Sequence, residues 1–257
     1  MERGVPIRSI SRAITVLQVI NRAPSVSMME IARLSGVPYP TACRIVQTLL
    51  HEGLIEREPS RKRYRATVLV QTLSHGFQSH DHLAQMAHPH LVEHTRQVGW
   101  PIALCTRVGQ SIVVRTSTHA SAAKTFTIYH AGYSLPLLGS AAGQTYIAFA
   151  DDEERADILS RLDLPPNDPE AATLELFRSG RLVEEIRTAG YATKGRNQYT
   201  ATPGKTSSVS VPVISNGVLQ GVITLIYFSS AMSLANAVTE FAAPLKQVAA
   251  AIGRDLV

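Results

Sequence analysis

Two long apolar runs, residues 206–215 (TSSVSVPVIS) and 218–228 (VLQGVITLIYF), are separated only by Asn216-Gly217. Asn-Gly tolerates the two consecutive positive-φ positions of a type I′ turn, whose twist matches that of the strands it joins. The pair therefore predicts an antiparallel hairpin late in the chain. Segments 101–106 (PIALCT), 111–117 (SIVVRTS) and 125–129 (TFTIY) read as further strands. Helices are expected over 140–149, 151–162, 179–189 and 233–254. Strands in hairpin runs with flanking helices make an α+β domain around an antiparallel sheet. With 45% hydrophobic and 18% charged residues, the 257-residue chain can build one large core or two ordinary ones. Every apolar run is shorter than the roughly 18 residues that a membrane helix needs, so no membrane partner is expected. The opening MERGVPIRSISRA lacks the continuous apolar stretch of a secretory signal, and a cytoplasmic protein is expected. Two cysteines, Cys43 and Cys105, are too few for a disulfide framework or a four-ligand zinc site.

The charge is unevenly placed. Residues 1–75 hold 11 Lys and Arg against 5 Glu, while the rest of the chain holds 14 basic and 15 acidic residues. The whole net charge of +5 is thus owed to the first 75 residues, the footprint of a nucleic-acid-binding module joined to a near-neutral one. Three helices are predicted in that module. Residues 9–22 space Ile10, Ala13, Ile14, Leu17 and Ile20 at helical intervals. Ser27-Met28-Met29-Glu30 has the form of a capping box opening a helix over 27–35, and Gly36 suits its left-handed C-cap. Residues 40–52 begin at Pro40 and carry one apolar stripe, Ala42, Ile45, Val46, Leu49 and Leu50.

Two helices around a short glycine turn form a helix-turn-helix, whose second helix enters the major groove by its polar face. That face holds Thr41, Arg44, Gln47 and Thr48, with Tyr39 just ahead of it. Thr41, Arg44 and Thr48 are expected to meet base edges or the adjacent backbone, with Tyr39 assisting. The basic segment 59–65 (PSRKRYR) then reads as the turn and second strand of a wing, whose Arg61, Lys62 and Arg63 would grip phosphates.

Residues 8–70 resemble the winged helix-turn-helix of the IclR family of bacterial transcriptional regulators; SISRAITVL, EIARLSGVP, CRIVQTLLHEGLIER and KRYRAT carry the likeness. It continues through HPHLVEHTRQVGWPIALCTRVGQSIVVR and LPLLGSAAGQTYIAFADDEE, which look like the family's activators of aromatic-acid catabolism, of the 3-(3-hydroxyphenyl)propionate type. The resemblance implies a winged helix-turn-helix over 1–70, a linker helix over 71–84 and a GAF-like α/β effector-binding domain over 85–257. It also implies a homodimer or homotetramer on a pseudo-palindromic double-stranded DNA operator, contact with RNA polymerase if the protein activates, and no cofactor.

The linker region, 66–98, reads as one or two helices broken near Gly76, with six of the nine histidines. His90 and His94 could share a metal on one helix face, but no nearby Cys completes a set, and His88-Pro89-His90 argues for a break. The preferred reading is a polar linker without metal.

For the effector, the resemblance points to Leu138-Gly139-Ser140-Ala141-Ala142-Gly143, where small residues at a helix N-terminus would offer backbone amides to a carboxylate. The candidates there are Ser140, Ala141, Ala142 and Gly143, with close packing as the alternative role of the small residues. Ser208 replaces a Cys common in the family and Thr224 replaces a Ser; both can hydrogen-bond a ligand. The stretch Gly190–Asn197 departs from the family pattern, with a longer loop after it. Tyr129 is one of several aromatics near these segments. Arg115, flanked by Val113-Val114, would pair with a ligand carboxylate, pair with an internal acid, or face water.

Enzyme readings fail on spacing. Gly204-Lys205-Thr206 lacks the earlier glycine of a P-loop, since position 199 is Tyr. No GxSxG, HExxH or paired CxxC occurs. Asp151-Asp152-Glu153-Glu154 fits a helix start, where acids meet the positive end of the dipole. The expectation is a non-enzymatic, ligand-responsive transcriptional regulator that activates an aromatic-acid degradation operon and senses a small aromatic carboxylate. The alternatives are a repressor of the same fold answering an aliphatic 2-oxo acid and, more remotely, an enzyme with an appended DNA-binding module.

Overall fold

A computed structural model describes residues 6–59, 61–74, 81–125, 129–200 and 202–257. The chain divides into two compact units, Met1–Asp81 and His82–Val257.

In the first unit, α1 (Arg8–Asn21), α2 (Met28–Ser35) and α3 (Tyr39–His51) surround a core of Val16, Ile20, Ile31, Ala42, Val46 and Leu49. The α1 stripe is rotated from its expected register. Ile10 and Ile14 are 55% and 52% exposed, while Val16, Val19 and Ile20 are buried. Helical spacing marks more than one apolar row on α1, and its neighbours choose which one is covered. The capping box forms: Ser27 Oγ accepts from the Glu30 N–H, and the Glu30 carboxylate accepts from the Ser27 N–H at 2.8 Å. Gly36 closes α2 at φ 65°, a conformation open to glycine at little cost. The strands β2 (Ile55–Arg57) and β3 (Arg63–Ala66) form the wing. A two-residue strand β1 (Val26–Ser27), which the sequence did not announce, pairs with β3.

Val68–Ser74 is a 3-10 segment and α4 (His82–Val98) begins at His82. The break expected near Gly76 lies outside the described residues. The break expected at Pro89 is absent, and α4 runs through it. His90 pairs with Asp255 at 2.7 Å, His88 hydrogen-bonds Thr116, and His94 is buried. Among the described residues no group of three or more His, Cys, Asp or Glu is placed to hold a metal.

The second unit is an antiparallel sheet of six strands in the order β6-β5-β4-β9-β8-β7, comprising β4 (Ile102–Val108), β5 (Ser111–Ser117), β6 (Ser134–Pro136), β7 (Ala192–Lys194), β8 (Thr206–Ser215) and β9 (Val218–Phe228). Asn216 and Gly217 take φ 50° and 77°, as a type I′ turn requires. Of the strand expected at 125–129, residues 126–128 lie outside the described residues. Among the described residues five helices besides α4 complete the unit: α5 (Ala141–Phe149), α6 (Asp152–Arg161), α7 (Ala171–Arg178), α8 (Arg181–Ala189) and α9 (Leu234–Asp255).

Strand alternation sorts the side chains into two layers. Ile102, Leu104, Val209, Val211, Ile223 and Leu225 face one core with α4 and α9. Ala103, Cys105, Ile112, Val114 and Val222 face a second core with α5 and α8. On that second face β8 and β9 present Ser208, Ser210 and Thr224, so hydroxyls line a surface that α5 covers only in part.

Candidate functional site

On the first unit, Tyr39, Arg44, Gln47 and Thr48 are exposed along α3 and Thr41 is half-buried, all opposite the buried Ala42, Val46 and Leu49. Thr48 Oγ1 donates to the Arg44 carbonyl at 3.1 Å. Thr41, Arg44 and Thr48 share a groove with Ile10 and Arg12 of α1. Arg61 and Lys62 are exposed between the two wing strands. Arg63 is not free to grip phosphate as expected. Its Nε donates to Ser25 Oγ at 3.0 Å and its Nη2 to the Ser25 carbonyl at 2.8 Å, with Glu30 Oε2 3.0 Å away. Alternation along β3 turns it back toward the start of α2. The Glu30 carboxyl is held below its ordinary pKa, first by the Ser27 N–H and hydroxyl and then by the Arg63 guanidinium.

On the second unit, a cavity lies between the sheet and the N-terminus of α5. Its apolar walls include Ala103, Cys105, Val114 and Ile226. Burial pushes the Cys105 thiol up to about 12, so it stays protonated. Ser140, Ala141, Ala142, Ser208, Thr224 and Tyr129 all line the cavity. Ser140 spends its hydroxyl on the helix: it donates to the Pro136 carbonyl at 2.8 Å and accepts from the Gly143 N–H at 3.1 Å. The amides of Ala141 and Ala142, the next donors at this helix end, have no partner among the described residues. The same holds for the Ser208 hydroxyl, while Thr224 donates to Ser210 Oγ at 2.9 Å and keeps acceptor capacity.

Two expected residues fall elsewhere. Gly143 does not line the cavity. It packs against Leu137, whose carbonyl oxygen an added Cβ would clash with, so its small size serves packing. Arg115 leaves β5 on the face opposite Ile112 and Val114 and donates to Thr106 Oγ1 at 3.0 Å, away from the cavity. The apolar run Ile112-Val113-Val114 hid this, because three consecutive apolar residues conceal which of them face inward.

Asn197 and Thr200 form a wall that was not anticipated. Asn197 ends the stretch Gly190–Asn197, and Thr200 belongs to the long loop after it. That loop is fixed by the Asn197 N–H to the Thr206 carbonyl at 2.8 Å, and by the Tyr199 N–H to Asn197 Oδ1 at 2.8 Å. The Tyr199 ring rests where a Cβ on Gly139 would stand. The departure from the family pattern was the available signal for this wall. No Asp, Glu, Lys or Arg lines the cavity among the described residues. An anion entering it would meet backbone amides, hydroxyls and a helix dipole in an apolar surround.

Comparisons with known proteins fall on the same two units. Residues 9–59 match the IclR helix-turn-helix domain and residues 75–254 match the bacterial transcriptional regulator IclR C-terminal domain. An HTH-type transcriptional regulator of Comamonas testosteroni, TsaQ1/TsaQ2, is 21% identical over 157 residues; the match spans 61% of this chain and 56% of that protein. The fold is similar to an IclR transcriptional regulator of Alicyclobacillus acidocaldarius (TM-score 0.68, 22% identity, 97% of this chain and 99% of that one). It is also similar to the Thermotoga maritima IclR (TM-score 0.65, 22% identity, 97% and 98%). A third similar structure is an IclR homolog of Microbacterium hydrocarbonoxydans complexed with 4-hydroxybenzoate (TM-score 0.65, 22% identity, 96% and 98%).

Proposed function

The chain belongs to the IclR family of DNA-binding transcriptional regulators, and from that premise we propose that it activates an aromatic-acid degradation operon in response to a small aromatic carboxylate. The observation that carries the ligand reading is the cavity itself. One end offers the unpartnered Ala141 and Ala142 amides at a helix N-terminus, and its flanks are apolar with few polar groups, as an aromatic acid requires. The 4-hydroxybenzoate bound to a similarly folded homolog supports the same ligand class.

In this reading α3 enters the major groove of a pseudo-palindromic operator, with Arg44 and Thr48 at base edges, Thr41, Gln47 and Tyr39 beside them, and Arg61 and Lys62 on phosphates. The protein acts in the cytoplasm as a homodimer or homotetramer, and ligand shifts the population between DNA-binding geometries. As an activator it contacts RNA polymerase from upstream of the promoter's −35 element. The domain boundaries proposed are 1–70, 71–84 and 85–257.

A thermal-shift screen of the full chain tests the ligand. Hydroxyphenylpropionates, cinnamates and benzoates are set against glyoxylate and pyruvate. A ligand selective for the folded state adds about 2.7 kcal/mol at a hundredfold excess over its Kd. A dose-dependent rise with aromatic acids alone is the expected result. A rise confined to the 2-oxo acids would replace the ligand class, and a footprint overlapping the promoter core would replace activation by repression.

A further inference from the structure

His119 is 2% exposed, and neither of its ring nitrogens has a hydrogen-bond partner among the described residues. Buried polar groups are ordinarily paired, and an imidazole with both nitrogens unserved is uncommon. The residue is not loosely held. Its neighbour Thr118 pins the turn after β5 to β4: Thr118 N–H donates to the Ile102 carbonyl at 3.0 Å, and Thr118 Oγ1 accepts from the Ile102 N–H at 2.9 Å. Thr95 Oγ1 meets the same hydroxyl at 2.7 Å.

His119 lines a small chamber that shares Tyr129, Thr206 and Ile226 with the cavity described above. Its ring stands edge-on to Tyr129, with centroids 4.7 Å apart. At the rim Lys124 donates to the Val98 carbonyl at 3.1 Å and lies over the Trp100 ring. A buried imidazole with no partner among the described residues thus lines an extension of the cavity, at a place distinct from the amides of α5.

Burial, with the charge of His130 adding to it, pushes the His119 imidazole down to about 4, so at neutral pH it is uncharged. A neutral imidazole offers one N–H donor and one lone-pair acceptor. A hydroxyl supplies the matching acceptor and donor together, whereas a carboxylate supplies acceptors only and would face the imidazole lone pair. The two ends of the combined space therefore ask for different groups.

We propose that His119 forms a subsite that reads a hydroxyl on the effector and selects hydroxylated aromatic acids over their unsubstituted parents. This rests on the aromatic-acid reading above. His119 is the specificity-determining residue, and the α5 amides take the carboxylate.

Calorimetric titration of the full chain with benzoate, 3- and 4-hydroxybenzoate, and phenol tests it, on wild type, His119→Phe and His119→Gln. A site built to hydrogen-bond a hydroxyl discriminates by at least about tenfold. In wild type at least one hydroxybenzoate is expected to bind tenfold or more tightly than benzoate. His119→Phe is expected to bring that ratio to within about twofold of one. His119→Gln, which keeps a donor and an acceptor, is expected to restore part of it. A ratio near one in wild type, or one that survives in His119→Phe, overturns the proposal. If no carboxylate binds wild type, the aromatic-acid reading has failed and phenol alone decides the subsite. Saturable phenol binding lost in His119→Phe supports it, and equal or absent binding in both proteins overturns it. His119→Met replaces the Phe variant should the latter fail to fold.

Discussion

At the residue scale, burial controls the chemistry of the two most perturbed groups. His119 is neutral in the folded protein down to about pH 4, against an ordinary value of 6.5. Between those values the unfolded chain takes up a proton that the folded chain refuses, so stability falls as pH drops through this window and levels off below it. At 1.36 kcal/mol per unit the loss is about 3 kcal/mol. Chemical denaturation of wild type and His119→Phe at pH 7 and pH 4.5 checks this; the variant is expected to lose much less stability on acidification. Glu30 acts at lower pH. Its depressed carboxyl contributes stability above its unfolded value of 4.5 that is lost as pH falls further. Cys105 lies sealed in the cavity wall with its thiol pushed up to about 12, whereas Cys43 on α3 is partly exposed. Because the thiolate is the reactive form, a thiol reagent is expected to label one cysteine per native chain and two in guanidinium. Two labelled in the native state would show that the cavity wall opens.

At the element scale, the wing and α2 are tied by a contact that local sequence does not reveal. Ser27 and Glu30 announce their capping box because the partners are three residues apart. Arg63 meets Ser25 and Glu30 across a separation of 38 and 33 residues, so it reads in the sequence as one more wing cation. The two kinds of cation are separable by experiment. Lys62→Ala is expected to lower the salt slope of operator binding by about one ion. Arg63→Ala is expected to leave that slope nearly unchanged and to destabilise the unit by about 1 kcal/mol. A slope that drops equally in both would return Arg63 to the phosphate-binding set. Helix α5 makes the same point. Its residues are buried on nearly every side, and the carbonyls at its C-terminal end are served by two arginines, one close in sequence and one 39 residues away. Arg155 donates to the Ala150 carbonyl at 2.8 Å and Arg187 to the Ala148 carbonyl at 2.6 Å. These cations complement the negative end of a helix whose positive end faces the cavity.

At the scale of the whole molecule, each unit carries its own core, and the cavity beside α5 is lined, among the described residues, by residues of His82–Val257 alone. Residues 82–257 expressed alone are therefore expected to fold and to keep any ligand-induced rise in melting temperature seen for the full chain. Loss of that rise in a folded fragment would show that the first unit contributes to the site. The sequence by itself determined the elements whose signals are local: the Asn216-Gly217 hairpin, the α2 cap, the glycine turn before α3, and the alternating serine and valine of β8. Each of these depends on backbone conformation or periodicity within a few residues, which the chain encodes directly. Tertiary structure alone decided which α1 row is covered, which face of β5 carries Arg115, that Gly143 packs rather than binds, and that Asn197 and Thr200 wall the cavity. Those outcomes depend on which surfaces meet across tens of residues, and only packing determines that. The orphaned nitrogens of His119 belong to the second group, because a histidine in sequence carries no sign of whether its partners are present.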